Sequence, residues 1–128
     1  MTEPVWLPKS LVLRVHDRQI EEHGGLRGLR DEGLLDSALL RPVNAFAYEG
    51  ADLHRLAALY ASGIIRNHPF LDGNKRTGFI AALTFLLANG FALAAPMDER
   101  LAKTLLLAGG ELSEDAYADW LRENCRPA

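Results

Sequence analysis

Only one cysteine, Cys125, occurs among the 128 residues. A single thiol closes no internal disulfide and builds no zinc cluster, which fits a reducing, cytoplasmic setting. An excess of charge of one sign is also missing. The chain has 14 Lys and Arg against 17 Asp and Glu, a net charge of -3, so nothing draws the whole molecule toward nucleic acid or an anionic membrane. Arginines gather at Arg14, Arg18, Arg27 and Arg30, but acids interleave with them, as on a solvated mixed face. The longest nearly continuous apolar run, Gly78 to Ala88, is broken by Thr84 and too short to span a bilayer. The opening MTEPVWLPKS has no basic run followed by an apolar segment, so no secretory leader is expected. Repeats, low-complexity tracts and long linkers are absent too. What remains is ordinary globular composition, 48% hydrophobic and 24% charged, and one domain over residues 1–128 is expected.

Glycine and proline punctuate a series of helices. Ser10 can cap a helix through LVLRVHDRQIEEH that stops at Gly24-Gly25, and residues 24–30 read as a turn. Asp31 can cap a short helix over Glu32 to Leu40, which Pro42 is expected to end. Asn44 to Ala51 is ambiguous between a loop and a small hairpin. Asp52 caps a helix over LHRLAALYASGIIRN, in which Leu53, Leu56, Ala57, Tyr60 and Ile64 recur at helical spacing. It ends near Asn67, because His68 precedes Pro69 and is thereby pushed out of the helical region. A second long helix runs from Asn74 to the Asn89-Gly90 stop. It is apolar on nearly every side, which marks it as the buried centre of the domain. Two more helices are expected over Asp98 to Ala108 and, capped by Ser113, over Glu114 to Asn124. No convincing pair of alternating strands appears. The expected fold class is all-α.

The string HPFLDGNKRTG, His68 to Gly78, connects the two long helices and holds the densest chemistry in the chain. The first N–H groups of a helix lack intrahelical partners and carry the positive end of its dipole, so they attract anions. Gly73 lets a ligand approach that backbone closely, and Asn74, Lys75 and Arg76 follow at the helix entrance. Arg76 offers a planar fork for phosphate oxygens and Lys75 a mobile point charge. Asp72 is a hard oxygen ligand suited to magnesium. His68 is a side chain of the type that takes a hydroxyl proton, and Phe70 reads as the packing anchor of the loop. Base, metal ligand and anion cradle are what phosphoryl or nucleotidyl transfer needs. The same residues could instead form a polar helix corner, with Asp72-Gly73 a common turn pair and Asn74 a cap. A P-loop is excluded, because Phe79-Ile80 stand where Lys and Ser/Thr are required. On the residues alone, both readings stay open.

The string HPFLDGNKR resembles the signature of the Fic/Doc superfamily, most closely its Doc (death-on-curing) toxin branch. RDEGLLDSALLRP, AYEGADLHRLAALYASGIIRN and TFLLANGF are similar to Doc-family blocks in the expected order. The resemblance implies a compact Fic/Doc helical bundle around a central buried helix. It implies His68 as the base that activates a hydroxyl on a target protein, and Asp72 as the ligand of magnesium on the phosphates of ATP. Gly73 and Asn74 would line the anion hole, Arg76 would clamp phosphate, and Phe70 would pack beneath. Fic proteins place a target-positioning flap near Phe46, Tyr48 and Glu49, so target contact is expected there.

Departures from the general Fic pattern sharpen this expectation. Lys75 stands where Fic proteins have glycine, and Phe79 where they have a second arginine. Both features serve AMP transfer, and their loss matches Doc proteins, which the resemblance implies are protein kinases that phosphorylate elongation factor Tu and arrest translation. The inhibitory pattern Ser/Thr-x-x-x-Glu-Gly/Asn is missing before Glu32-Gly33 and Glu49-Gly50, so restraint is expected from a separate Phd-like antitoxin. AMP transfer onto a protein and a non-catalytic binding module of the same fold are the alternatives. Elsewhere, His16, His23 and His54 are expected at the surface, and Trp6 and Trp120 are expected to pack the chain ends together.

Overall fold

Every residue from Leu56 to Ile65 is buried, and this stretch forms the axis around which the other helices pack. The computed structural model describes residues 2–128 in the order α1 (Lys9–His23), α2 (Glu32–Glu49), α3 (Leu53–Asn67), α4 (Asn74–Ala88), β1 (Phe91–Leu93), α5 (Met97–Ala108), α6 (Glu114–Asn124) and β2 (Cys125–Pro127). The fold is all-α, with six helices and one short ribbon among the described residues. No helix among the described residues is long and apolar enough to cross a membrane.

The central helix is α3 rather than α4. Small residues along α3, Ala57, Ala58, Ala61 and Gly63, let α2, α4 and α6 close on it from different sides. Two approaches are especially tight. A Cβ on Gly63 would lie 3.2 Å from that of Ala38 in α2, and one on Gly78 of α4 would lie 2.9 Å from the Ala61 carbonyl oxygen. Helix α4 is less enclosed than its composition suggests: Phe79, Ile80 and Leu83 are half-buried and Leu87 is exposed.

The largest departure from the expected elements is α2, which runs straight through Pro42 to Glu49. Proline removes one intrahelical hydrogen bond and normally breaks a helix. Here Leu35, Ala38, Pro42 and Ala45 form one buried stripe at helical spacing, and burial against α3 carries the helix past the lost bond. The ambiguous stretch from Asn44 is therefore helix, ended by Gly50 in the left-handed conformation (φ 64°) with its N–H bonded to Phe46 at 3.1 Å. Asp31, Asp52 and Ser113 cap α2, α3 and α6 as expected. Helix α1 begins at Lys9 behind Pro8, without a side-chain cap.

The ribbon was not expected. Residues Phe91–Leu93 pair antiparallel with Cys125–Pro127, in the register Ala92 opposite Arg126. Three residues per strand carry too little alternation to be read locally. The tryptophans do not join the chain ends. Trp6 stacks on Phe85 and meets the edge of Phe46, while Trp120 packs on Tyr117 and donates to Glu99 at 2.6 Å.

Two carboxylates tie α6 to the rest. Asp52 faces Arg122, and Glu114 meets the fork of Arg41 with Arg66 nearby. Burial works to raise both pKa values, but the Arg55 N–H and Arg122 at Asp52, and Arg41 at Glu114, more than offset it, and both lie below their ordinary values. A carboxylate with a lowered folded pKa stabilises the protein above its unfolded value and loses that contribution as pH falls through the folded one. Acid unfolding should therefore begin within that window, and Glu114→Gln should flatten the acid limb of a melting-temperature profile. Gly78→Ala should cost about 1–3 kcal/mol by overpacking against a carbonyl that cannot move aside, read as a lower denaturant midpoint.

Candidate active site

Helices α3 and α4 are joined by the short turn His68–Gly73, so the C-terminus of one and the N-terminus of the other open onto a common groove of about 680 Å³. His68, Asp72, Gly73, Asn74, Lys75 and Arg76 all line it. His23 and the Gly24-Gly25 pair at the end of α1 face them.

His68 is the C-cap of α3 and sits in the left-handed region (φ 52°, ψ 52°), the one non-glycine positive φ among the described residues. Such a conformation costs on the order of 1 kcal/mol or more, and the exposed His68 lines the groove. Helix α4 opens with Gly73 at φ 78°. Its first intrahelical bond runs from the Thr77 N–H to the Gly73 carbonyl at 2.9 Å. The N–H groups of Asn74, Lys75 and Arg76 are thus the free donors of that terminus. Lys75 and Arg76 are exposed, and neither pairs with a carboxylate among the described residues. Arg76 reaches across the groove to the Gly24 carbonyl at 3.4 Å.

Asp72 is held from two directions. Its Oδ2 accepts the Leu26 N–H at 2.7 Å, which leaves Oδ1 without a protein partner among the described residues. Its carbonyl accepts from His16 Nε2 at 2.8 Å, and since a carbonyl cannot donate, that nitrogen carries the hydrogen. One free carboxylate oxygen lining the groove suits a cation that takes its other ligands from water and phosphate. This is how magnesium binds, and Asp72 fits it.

Three findings revise the expected roles. His16 is not an exposed helix histidine; it is 1% exposed and stacks on Phe70 with ring centroids 3.8 Å apart. Asn74 neither caps the helix nor points its amide at a ligand. Its Oδ1 accepts the Phe70 N–H and its Nδ2 donates to the Phe70 carbonyl, both at 3.0 Å, so it offers the groove its backbone N–H. Phe46, Tyr48 and Glu49 lie on the last turn of α2 and not in a loop. Phe46 packs on Trp6, while Tyr48 and Glu49 line a separate groove of about 590 Å³ that also includes Asn67. None of the three lines the groove of His68. His54 is half-buried against the edge of Phe91, away from the site, and Phe79 is half-buried in α4.

His16, His23 and Leu26 are the site residues that were not foreseen. A signal for His16 existed: Val12, His16 and Ile20 recur every four residues, which puts the imidazole on the buried stripe of α1. Leu26 contributes only a backbone N–H, which no side-chain pattern reveals.

The comparison with known proteins bears on the same residues. A family model described as the Fic/DOC family matches residues 6–86, which include α1 through most of α4. The chain belongs to the Fic/DOC family. Two relatives place it in the Doc branch. The protein named Protein kinase doc from Escherichia phage P1 is 37% identical over 116 residues, 90% of each chain. Toxin Doc from Mycolicibacterium smegmatis is 47% identical over 87 residues, 65% of each chain. The family match spans α3, the whole turn His68–Gly73 and most of α4.

Replacing His16 with Leu removes the donor to the Asp72 carbonyl and leaves that carbonyl unpaired. The expected cost is about 1–3 kcal/mol in thermal or denaturant unfolding. His16→Gln, which returns an amide N–H near the same place, should recover part of it.

Proposed function

We propose that this chain is the toxin of a toxin–antitoxin pair and acts as a protein kinase, moving the terminal phosphate of ATP to a Ser or Thr hydroxyl of elongation factor Tu and so arresting translation. The observation that carries this reading is the convergence of His68, Asp72, the free N–H groups of α4, Lys75 and Arg76 on one groove. The names of the two relatives, a protein kinase and a toxin, support it. Elongation factor Tu is the target that the family resemblance implies.

In this reading, His68 accepts the proton of the target hydroxyl as its oxygen bonds to phosphorus and the bond to the nucleotide's leaving oxygen breaks. The N–H groups of Asn74, Lys75 and Arg76 hold the phosphate oxygens, with the side chains of Lys75 and Arg76 adding charge. Magnesium, held through Asp72, supplies charge neutralisation on the nucleotide phosphates when bound. His16, Phe70 and Asn74 keep the turn rigid, so that base and cradle stay in register without reorganising during the reaction.

Phe79 bears on the type of transfer. An apolar, half-buried side chain replaces the second arginine of the Fic pattern, which weighs against AMP transfer. A partner is supported by Met97, Leu101 and Leu105, spaced four apart on α5 and all exposed. An amphipathic segment of a Phd-like antitoxin would cover such a stripe by folding onto it.

Incubating the protein with elongation factor Tu and ATP labelled at the terminal phosphate should label the factor. Label at the α-phosphate should not transfer. His68→Ala should lower the rate by about 10²–10⁴-fold, the usual worth of a general base. Transfer of the α label would establish AMP transfer instead, and a His68→Ala chain as growth-inhibitory as the parent would refute catalysis.

A further inference from the structure

Arg30 has no part in the chemistry above, yet its side chain is fastened to the catalytic turn. Its Nε donates to the His68 carbonyl at 2.7 Å and its Nη2 to the Asn67 carbonyl at 2.9 Å. These carbonyls lie at the C-terminus of α3, where helical partners run out and the dipole is negative, so a cation is favoured there. The fork geometry of arginine reaches two adjacent carbonyls at once, which a single ammonium does less well.

The backbone around Arg30 is committed to the same turn. The Arg30 and Asp31 N–H groups both reach the Pro69 carbonyl, at 2.7 and 3.0 Å, and the Leu71 N–H reaches the Gly28 carbonyl at 3.1 Å. Leu29 and Phe70 form an antiparallel bridge between them. Residue 69 is proline and has no N–H to give, so backbone pairing cannot continue past it toward His68. The Arg30 side chain takes over at that point and extends the pairing to the two residues that matter most for the direction of the imidazole.

His68 needs such a hold. A left-handed conformation in a non-glycine residue persists only where its surroundings over-determine it, and a following proline narrows the choices further. We propose that Arg30 is the positioning residue of His68: its guanidinium locks the Asn67 and His68 carbonyls, which keeps His68 left-handed and its imidazole presented to the groove. This inference rests on the reading of His68 as the proton acceptor. A merely structural Arg30 would lower stability and leave the state of His68 unchanged.

The test compares Arg30→Met, which keeps the aliphatic stem, with Arg30→Lys, which keeps the charge. For Arg30→Met, kcat should fall about 10- to 100-fold while KM for ATP stays within about twofold, as a displaced base affects chemistry and not ground-state nucleotide binding. In the 13C–1H spectrum, the imidazole cross-peak of His68 should move or split, while that of His54 at the far end of α3 stays in place. Arg30→Lys should recover part of both effects. An unchanged kcat, or an unmoved His68 cross-peak, would overturn the proposal. The spectrum needs no turnover, so it still decides the role of Arg30 if the parent protein transfers no label and the kinase reading fails. Should Arg30→Met not fold, Arg30→Lys decides on the same two measurements.

Discussion

The contact of Gly78 with the Ala61 carbonyl is the constraint from which the site follows. With no side chain at that position, α4 lies directly on the backbone of α3, and the distance between the two axes is set there rather than by adjustable side chains. The C-terminus of α3 and the N-terminus of α4 are then held at one spacing, bridged by a turn too short to relax. His68 comes from the first terminus and the free N–H groups from the second. An exposed imidazole and a row of free N–H groups are thus presented side by side by helix packing.

Packing alone would leave the turn loose. Fastenings from two other parts of the chain, and one from the start of α4, close it. From α1, His16 stacks on Phe70 and bonds the Asp72 carbonyl. From the α1–α2 loop come the Leu26 N–H to Asp72 and the Arg30 fork to Asn67 and His68. From the first residue of α4, Asn74 clasps the N–H and the carbonyl of Phe70. Each hydrogen bond among them ends on a backbone group or on one carboxylate oxygen. The groups left for a ligand are the His68 imidazole, the second oxygen of Asp72, three N–H groups and two cations. This division of labour, some groups spent on rigidity and others left free, is what a preorganised site requires.

How much of this was legible in the sequence depended on the range of the interaction. The motif residues were readable because their chemistry is dense and local, and the caps Asp31, Asp52 and Ser113 because a cap acts within one turn. Pro42 misled, since a propensity of a few kcal/mol was overridden by a buried stripe whose partner, α3, is not visible from α2 itself. Gly50 was an available stop signal, but it counts as one only once the helix is allowed past the proline. A nearly continuous apolar run points to α4 as the centre. Small residues, however, make α3 the helix that others can surround.

The sequence by itself determined the all-α class, most helix boundaries, and the set of groups that can meet a phosphate. Those depend on interactions between residues a few positions apart, and the chain order states them directly. Tertiary structure alone decided which of these groups are free. It buried His16 against Phe70, turned the Asn74 amide inward, moved Tyr48 and Glu49 to another groove, and brought Arg30 to the carbonyl of His68. The physical reason is that a polar side chain can satisfy its hydrogen bonds inside the protein or offer them to a ligand. Only the fold brings the competing internal partners within reach.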